Sequence, residues 1–315
     1  MTVGVEALPT PEELAGPRAR STFVERVARR AADAPLALCV GIDPAPASLA
    51  LLAGIDTVGR GSSARATRAG AMERFGGLVV EASRDHAVAI KPQLAWFESA
   101  GAPGIRALER VVAYAHTAGL LVVIDGKRGD VPHSAGAYAD AWLGDDAASG
   151  IGGDALTVNA SIGADALGAM AEIAAARACA LYVLLHTSNP GASRLQDAEL
   201  ADGSRWWQLL AADIVATDVI LGRTGVVGAV VGATRPEVVD QVRAALPHAP
   251  LLLPGVGSQG GDATILAAGA IAGTPTSLVP VSRSMLPTEP CGTAAFRYHV
   301  ASAAARLAAE LAAGG

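Results

Sequence analysis

The stretch "LLVVIDGKRGD", Leu120 to Asp130, decides how the chain is read. Its first five residues are apolar, as expected of a strand buried on both faces of a parallel sheet. The next six, Asp125, Gly126, Lys127, Arg128, Gly129 and Asp130, are all charged or glycine. A buried strand that ends in this way puts charge at the mouth of a core. With a period of two, Asp125 and Lys127 face the same way, about 6.6 Å apart along the strand. If Val123 points into a barrel, both point into its mouth, and Asp130 lies past the strand end on the loop. Lys91, at the end of the neighbouring run "AVAIK" (87–91), would join them. The result is an array of two lysines and two carboxylates in which flanking acids hold each ammonium protonated. Arg128 points away and reads as a structural ion-pair residue.

The same motif of a short apolar run followed by polar residues repeats outward from this stretch. Further strand candidates are "LALCVGI" (36–42), "ALTVN" (155–159), "ALYVLLH" (180–186), "VGAVVGA" (227–233), "LLLPG" (251–255) and "SLVPVS" (277–282). Helical segments lie between them, for example at 134–143, 165–178, 206–221 and 236–246. In "TRPEVVDQVRAAL", Thr234 is expected as the N-cap and Pro236 in the first turn. Eight strands, most followed by a helix, predict a closed (β/α)₈ TIM barrel with a parallel sheet and its active face at the strand C-termini. An open doubly wound sheet is disfavoured, because "GIDP" rather than GxGxxG follows the first strand. The expected organisation is one domain over 1–315, with an N-terminal extension of about 1–19. Loops are expected at 54–70 and 191–206, where lids and substrate clamps lie in such folds.

Composition narrows the function classes. The 315 residues carry a net charge of −6 and no recurring Lys/Arg block, which argues against nucleic acid or an anionic membrane as partner. No apolar stretch approaches the roughly 18 residues a membrane span needs. The first 18 residues hold acids and prolines where a signal peptide needs a basic start and an apolar run. Three widely spaced cysteines, Cys39, Cys179 and Cys291, fit a reducing compartment, with Cys39 and Cys179 as core residues. A cytoplasmic protein is expected.

Chemistry is predicted where the strands end. Those positions hold Asp43, Lys91, Asp125 with Lys127, Asn159, the run Thr187–Ser188–Asn189, "PGVGSQGGD" (254–262), and Ser282 with Arg283. Glycines 255, 257, 260 and 261 would let backbone N–H groups approach an anion that Arg283 could grip bidentately. That is where barrels of this type bind phosphate. Of six histidines, only His133 and His186 fall near this rim, and they do not form a ligand set, so no metal site is expected.

Together "DGKRGD" (125–130), "IKPQLAWFESAG" (90–101), "TSNPGA" (187–192), "PGVGSQGGD" (254–262), "GIDP" (41–44) and "SRSM" (282–285) resemble orotidine 5′-phosphate decarboxylase, in the family's order. The KRGD form of the motif is similar to the branch called type 2. The resemblance implies decarboxylation of orotidine 5′-monophosphate to UMP, the last step of de novo pyrimidine synthesis, with no cofactor and no metal. It implies that Lys127 donates a proton to C6 and that Asp125 lies beside the departing carboxylate. Asp130 would enter the site from the other subunit of a homodimer. Lys91 and Asp43 would bind the ribose, Ser188 the pyrimidine, and Gln259 with Arg283 the phosphate. Ser134 stands where the family usually has threonine, keeping the hydroxyl of a loop contact. Trp96 and Gly126 stand where phenylalanine and alanine are frequent. The alternative is a magnesium-dependent sugar-phosphate decarboxylase or epimerase of the same superfamily, which shares the third-strand Asp-x-Lys-x-x-Asp. Such an enzyme holds its metal partly through a carboxylate at the end of strand two, and here that place is Lys91.

Overall fold

The computed structural model describes residues 21–32, 34, 36–57, 63–144, 150–255 and 275–313. Eight parallel strands close on themselves in chain order. They are β1 (Leu36–Ile42), β2 (Ala89–Pro92), β3 (Leu121–Arg128), β4 (Ala155–Val158), β5 (Ala180–His186), β6 (Val227–Val231), β7 (Leu251–Leu252) and β8 (Ser277–Val281). Closure runs through β1 and β8, in register from Leu36 opposite Ser277 to Val40 opposite Val281. The helices are α1 (Phe23–Ala31), α2 (Pro46–Leu49), α3 (Ala64–Ser83), α4 (Leu94–Glu98), α5 (Ala102–Thr117) and α6 (Pro132–Trp142). They continue with α7 (Ala164–Ala176), α8 (Ser193–Gln196), α9 (Trp206–Leu221), α10 (Pro236–Ala245) and α11 (Thr293–Ala313). The expected (β/α)₈ architecture is therefore present, and its strand C-termini gather at one rim.

Alternation along each strand sorts the core into two parts. Inside the barrel lie Ala37, Cys39, Val88, Ala89, Leu121, Val123, Ala155, Ala180 and Tyr182, with small side chains making room for the tyrosine ring. Between barrel and helices lie Leu36, Leu38, Val122, Ile124, Leu181 and Val183, packed on residues such as Phe75, Val111 and Phe296. Val123 points inward, which fixes the inward direction of Asp125 two residues on. Helix α1 seals the opposite end. Thr22 and Glu25 form a capping box at its start, and Phe23 meets Tyr182 edge-on at a centroid distance of 6.0 Å.

Two expectations about boundaries are corrected. The loop expected over 54–70 is shorter, because α3 starts at Ala64 and buries Ala69, Ala71, Met72 and Phe75. The N-cap of α10 is Arg235, not Thr234, because Pro236 takes the first helical position and the cap is the residue before it. Among the described residues no helix is long and apolar enough to cross a membrane.

Candidate active site

Asp125 is the centre of the rim. The residue is only 6% exposed, and four side chains converge on its carboxylate. The Lys127 ammonium pairs with Oδ1 and the Lys91 ammonium with Oδ2. Thr157 Oγ1 donates to Oδ1 at 2.9 Å, and Gln93 Nε2 donates to Oδ2 at 3.1 Å. Burial by itself would push the Asp125 pKa up. The two ammoniums and their hydrogen bonds outweigh it and hold the carboxyl well below the usual carboxylate range. Burial likewise opposes the charge on Lys91, yet the carboxylates of Asp125 and Asp43 prevail and raise its pKa. Both groups are therefore ionised at neutral pH. The two lysines differ in access: the Lys91 side chain is 12% exposed, that of Lys127 45%. Of the two, Lys127 is the more open to a molecule entering the mouth.

The backbone under Lys127 is unusual. Its register against β4 shifts between Ile124 and Arg128, and Lys127 adopts φ +49°. Such a left-handed conformation is costly for a residue with a Cβ, and strain of this kind concentrates at functional sites. Thr157 supports it from the neighbouring strand, its Oγ1 accepting the Lys127 N–H at 3.0 Å. Asp125 and Lys127 do converge, but through a bulged, turned strand end rather than regular alternation. Arg128 faces outward, pairs with Glu98 and lies over the rings of Tyr138 and Trp142 at 5.7 Å each.

Next along the rim, Ser282 Oγ donates to Asp43 Oδ2. Gly41 makes this approach possible, since a Cβ there would lie 2.7 Å from the Ser282 Cβ. This juxtaposition of β1 and β8 ends sets Asp43 beside Lys91.

The chain is similar to known proteins along most of its length. The family model described as orotidine 5′-phosphate decarboxylase / HUMPS family matches residues 37–296. A protein of Salinispora tropica named orotidine 5′-phosphate decarboxylase is 40% identical over 80% of this chain and 86% of its own. One of the same name from Deinococcus radiodurans is 38% identical over 84% of this chain and 89% of its own. The crystal structure of a protein from Streptomyces avermitilis described under that enzyme's name superposes with a TM-score of 0.78 at 34% identity, over 94% of this chain and 97% of that one. The chain belongs to the orotidine 5′-phosphate decarboxylase / HUMPS family.

Measured against that family's expected site, Lys91, Asp125 and Lys127 stand together and Asp43 is next to them. Asp130 does not join the array of its own chain, which corrects the in-chain set of two lysines and two carboxylates. It sits beyond β3, where its Oδ1 accepts the Val131 N–H at 2.8 Å at the entry to α6. Ser134 lies in the first turn of α6. Ser188 follows β5, and Arg283 is exposed in a 3₁₀ turn after β8. Gln259 and glycines 257, 260 and 261 lie outside the described residues.

Sequence reasoning missed Thr157, Gln93 and Ser282 as partners of the two aspartates. Thr157 is inconspicuous inside the apolar run "ALTVN"; the usable signal was a buried hydroxyl one strand away from the charged turn. Thr157→Val keeps the shape but removes one donor to Asp125 and the acceptor of the Lys127 N–H. We expect kcat to fall by roughly tenfold to a hundredfold, since small misplacements of a reacting group are that costly. Steady-state kinetics showing the parental kcat would refute this supporting role.

Proposed function

We propose that this chain decarboxylates orotidine 5′-monophosphate to UMP without metal or cofactor, with Lys127 as the proton donor. The observation that carries the reading is the Asp125 carboxylate, buried at the barrel mouth and paired with two ammoniums, of which Lys127 is the more open to a ligand. Breaking the bond from C6 to the carboxylate leaves its electron pair on C6, with no adjacent carbonyl to delocalise it. An ammonium fixed nearby stabilises that charge as it develops and then transfers its proton to C6, leaving a neutral amine that regains a proton from solvent. Because Asp125 remains ionised, it holds the Lys127 ammonium in place by ion pairing, and a substrate carboxylate would be set beside a second anion. Lys127 cannot supply the whole effect, since enzymes lower barriers by up to about 23 kcal/mol or more. Contacts to ribose and phosphate, from Asp43, Lys91, Gln259 and Arg283, add to it by closing the site. Ser188 reads the pyrimidine, and the Ser134 hydroxyl contributes a loop contact.

The KRGD form of the motif supports membership of the type 2 branch. A homodimer with shared sites is supported by the family resemblance, in which Asp130 serves the partner's site; here its carboxylate accepts the Val131 N–H. The three free cysteines support a reducing compartment such as the cytoplasm as its place of action. A magnesium-dependent sugar-phosphate reaction is disfavoured: the ammonium of Lys91 occupies the place of a metal-holding carboxylate and would repel a cation. The purified protein is expected to convert orotidine 5′-monophosphate to UMP in the presence of excess chelator. Absent turnover, or turnover restored only by magnesium, would overturn the assignment.

A further inference from the structure

The chain between β5 and α9 contains a second organised cluster, and it centres on Gln196. Gln196 Oε1 accepts the Thr187 N–H at 2.8 Å, and Gln196 Nε2 donates to Thr187 Oγ1 at 3.1 Å. The Thr187 hydroxyl is then free to donate to Asn189 Oδ1, at 2.7 Å. One amide thus fixes both polar groups of the residue that precedes Ser188. The next residue fastens the same segment to the barrel: Asp197 accepts from His186 Nε2 at 3.1 Å and from Arg235 Nη1 at 3.2 Å. On its other side Ser188 is backed by the exit of β6. A Cβ at Gly232 would lie 3.0 Å from Ser188 N and 3.1 Å from Ser188 Cβ.

We infer that Gln196 is a positioning residue that sets the turn Thr187–Asn189, and through it Ser188, for recognition of the pyrimidine base. This rests on the proposed reading that Ser188 contacts the base. Packing gives no competing reason for a glutamine here. Gln196 ends the one-turn helix α8, whose other three residues, Ser193, Arg194 and Leu195, are all exposed. Its contribution lies in the complementarity of an amide to one N–H and one hydroxyl, which neither alanine nor glutamate reproduces.

The test compares parent, Gln196→Ala and Gln196→Glu for turnover, thermal unfolding, and binding of UMP and of ribose 5-phosphate, which lacks the base. With Gln196→Ala, KM for orotidine 5′-monophosphate and Kd for UMP are expected to rise roughly tenfold, the loss of one or two hydrogen bonds. Ribose 5-phosphate affinity should stay at the parental value, and Tm should fall by no more than a few degrees. Gln196→Glu keeps the acceptor for the Thr187 N–H and loses the donor, so it should fall between the two. Unchanged UMP binding, or equal weakening of UMP and ribose 5-phosphate, would overturn the inference while leaving the decarboxylase reading intact. A parent protein that does not turn over orotidine 5′-monophosphate would overturn that reading and the inference with it.

Discussion

Replacing Lys127 by alanine is expected to lower decarboxylation by roughly four orders of magnitude or more, since on the proposed mechanism it removes both the cation facing the developing charge and the proton donor. UMP should still bind within a few-fold of the parent, because Lys91, Asp43 and the phosphate-side residues are retained. A complication is that Lys127 sits at φ +49°, so any change there acts on the backbone as well as on the chemistry. That conformation provides the control. Glycine adopts it without a Cβ penalty, so Lys127→Gly should be more stable than Lys127→Ala by about 1 kcal/mol and equally inactive. Stopped assays together with denaturant unfolding of both variants separate the two effects. Retention of a tenth of the parental rate by either one would remove Lys127 from its role. The position therefore illustrates a trade: the residue the backbone prefers is one that cannot do the chemistry.

That same position marks the limit of what could be read from sequence. The barrel was legible because each strand is an apolar run bounded by polar residues, and burial on both faces leaves little alternative. The pairing of Asp125 with Lys91 and Lys127 was legible because opposite charges at adjacent strand ends have few other places to go. What could not be read was the bulge between Ile124 and Arg128, which depends on tertiary pairing with β4. Helix α3 was obscured for a different reason: "SSARATRAG" is polar and glycine-bearing, and its buried stripe becomes continuous only from Ala69 through Met72 to Phe75. Thr157 looked like a β-branched strand former, which it also is. Its second use as the hydroxyl between Asp125 and the Lys127 N–H exists only once β3 and β4 are aligned.

Asp130 yields the other large effect. Its carboxylate turns to the Val131 N–H, yet it is part of the charged turn that carries Lys127. A role in the partner's site predicts that Asp130→Asn and Lys127→Ala are each nearly inactive as homodimers. Mixing them under conditions of subunit exchange should restore turnover. In a heterodimer with two-fold arrangement one site carries both lesions, and the other receives an intact Lys127 and an intact Asp130. With equal amounts and random pairing half the dimers are mixed, so activity should recover to about a quarter of the parental value. Recovery should follow the exchange time and vanish if the dimers are crosslinked before mixing. If mass spectrometry shows mixed dimers and activity stays at the level of the two single variants, Asp130 acts within its own chain or not at all. The observed cap on Val131 would then be its whole contribution, and Asp130→Asn should shift stability rather than kcat.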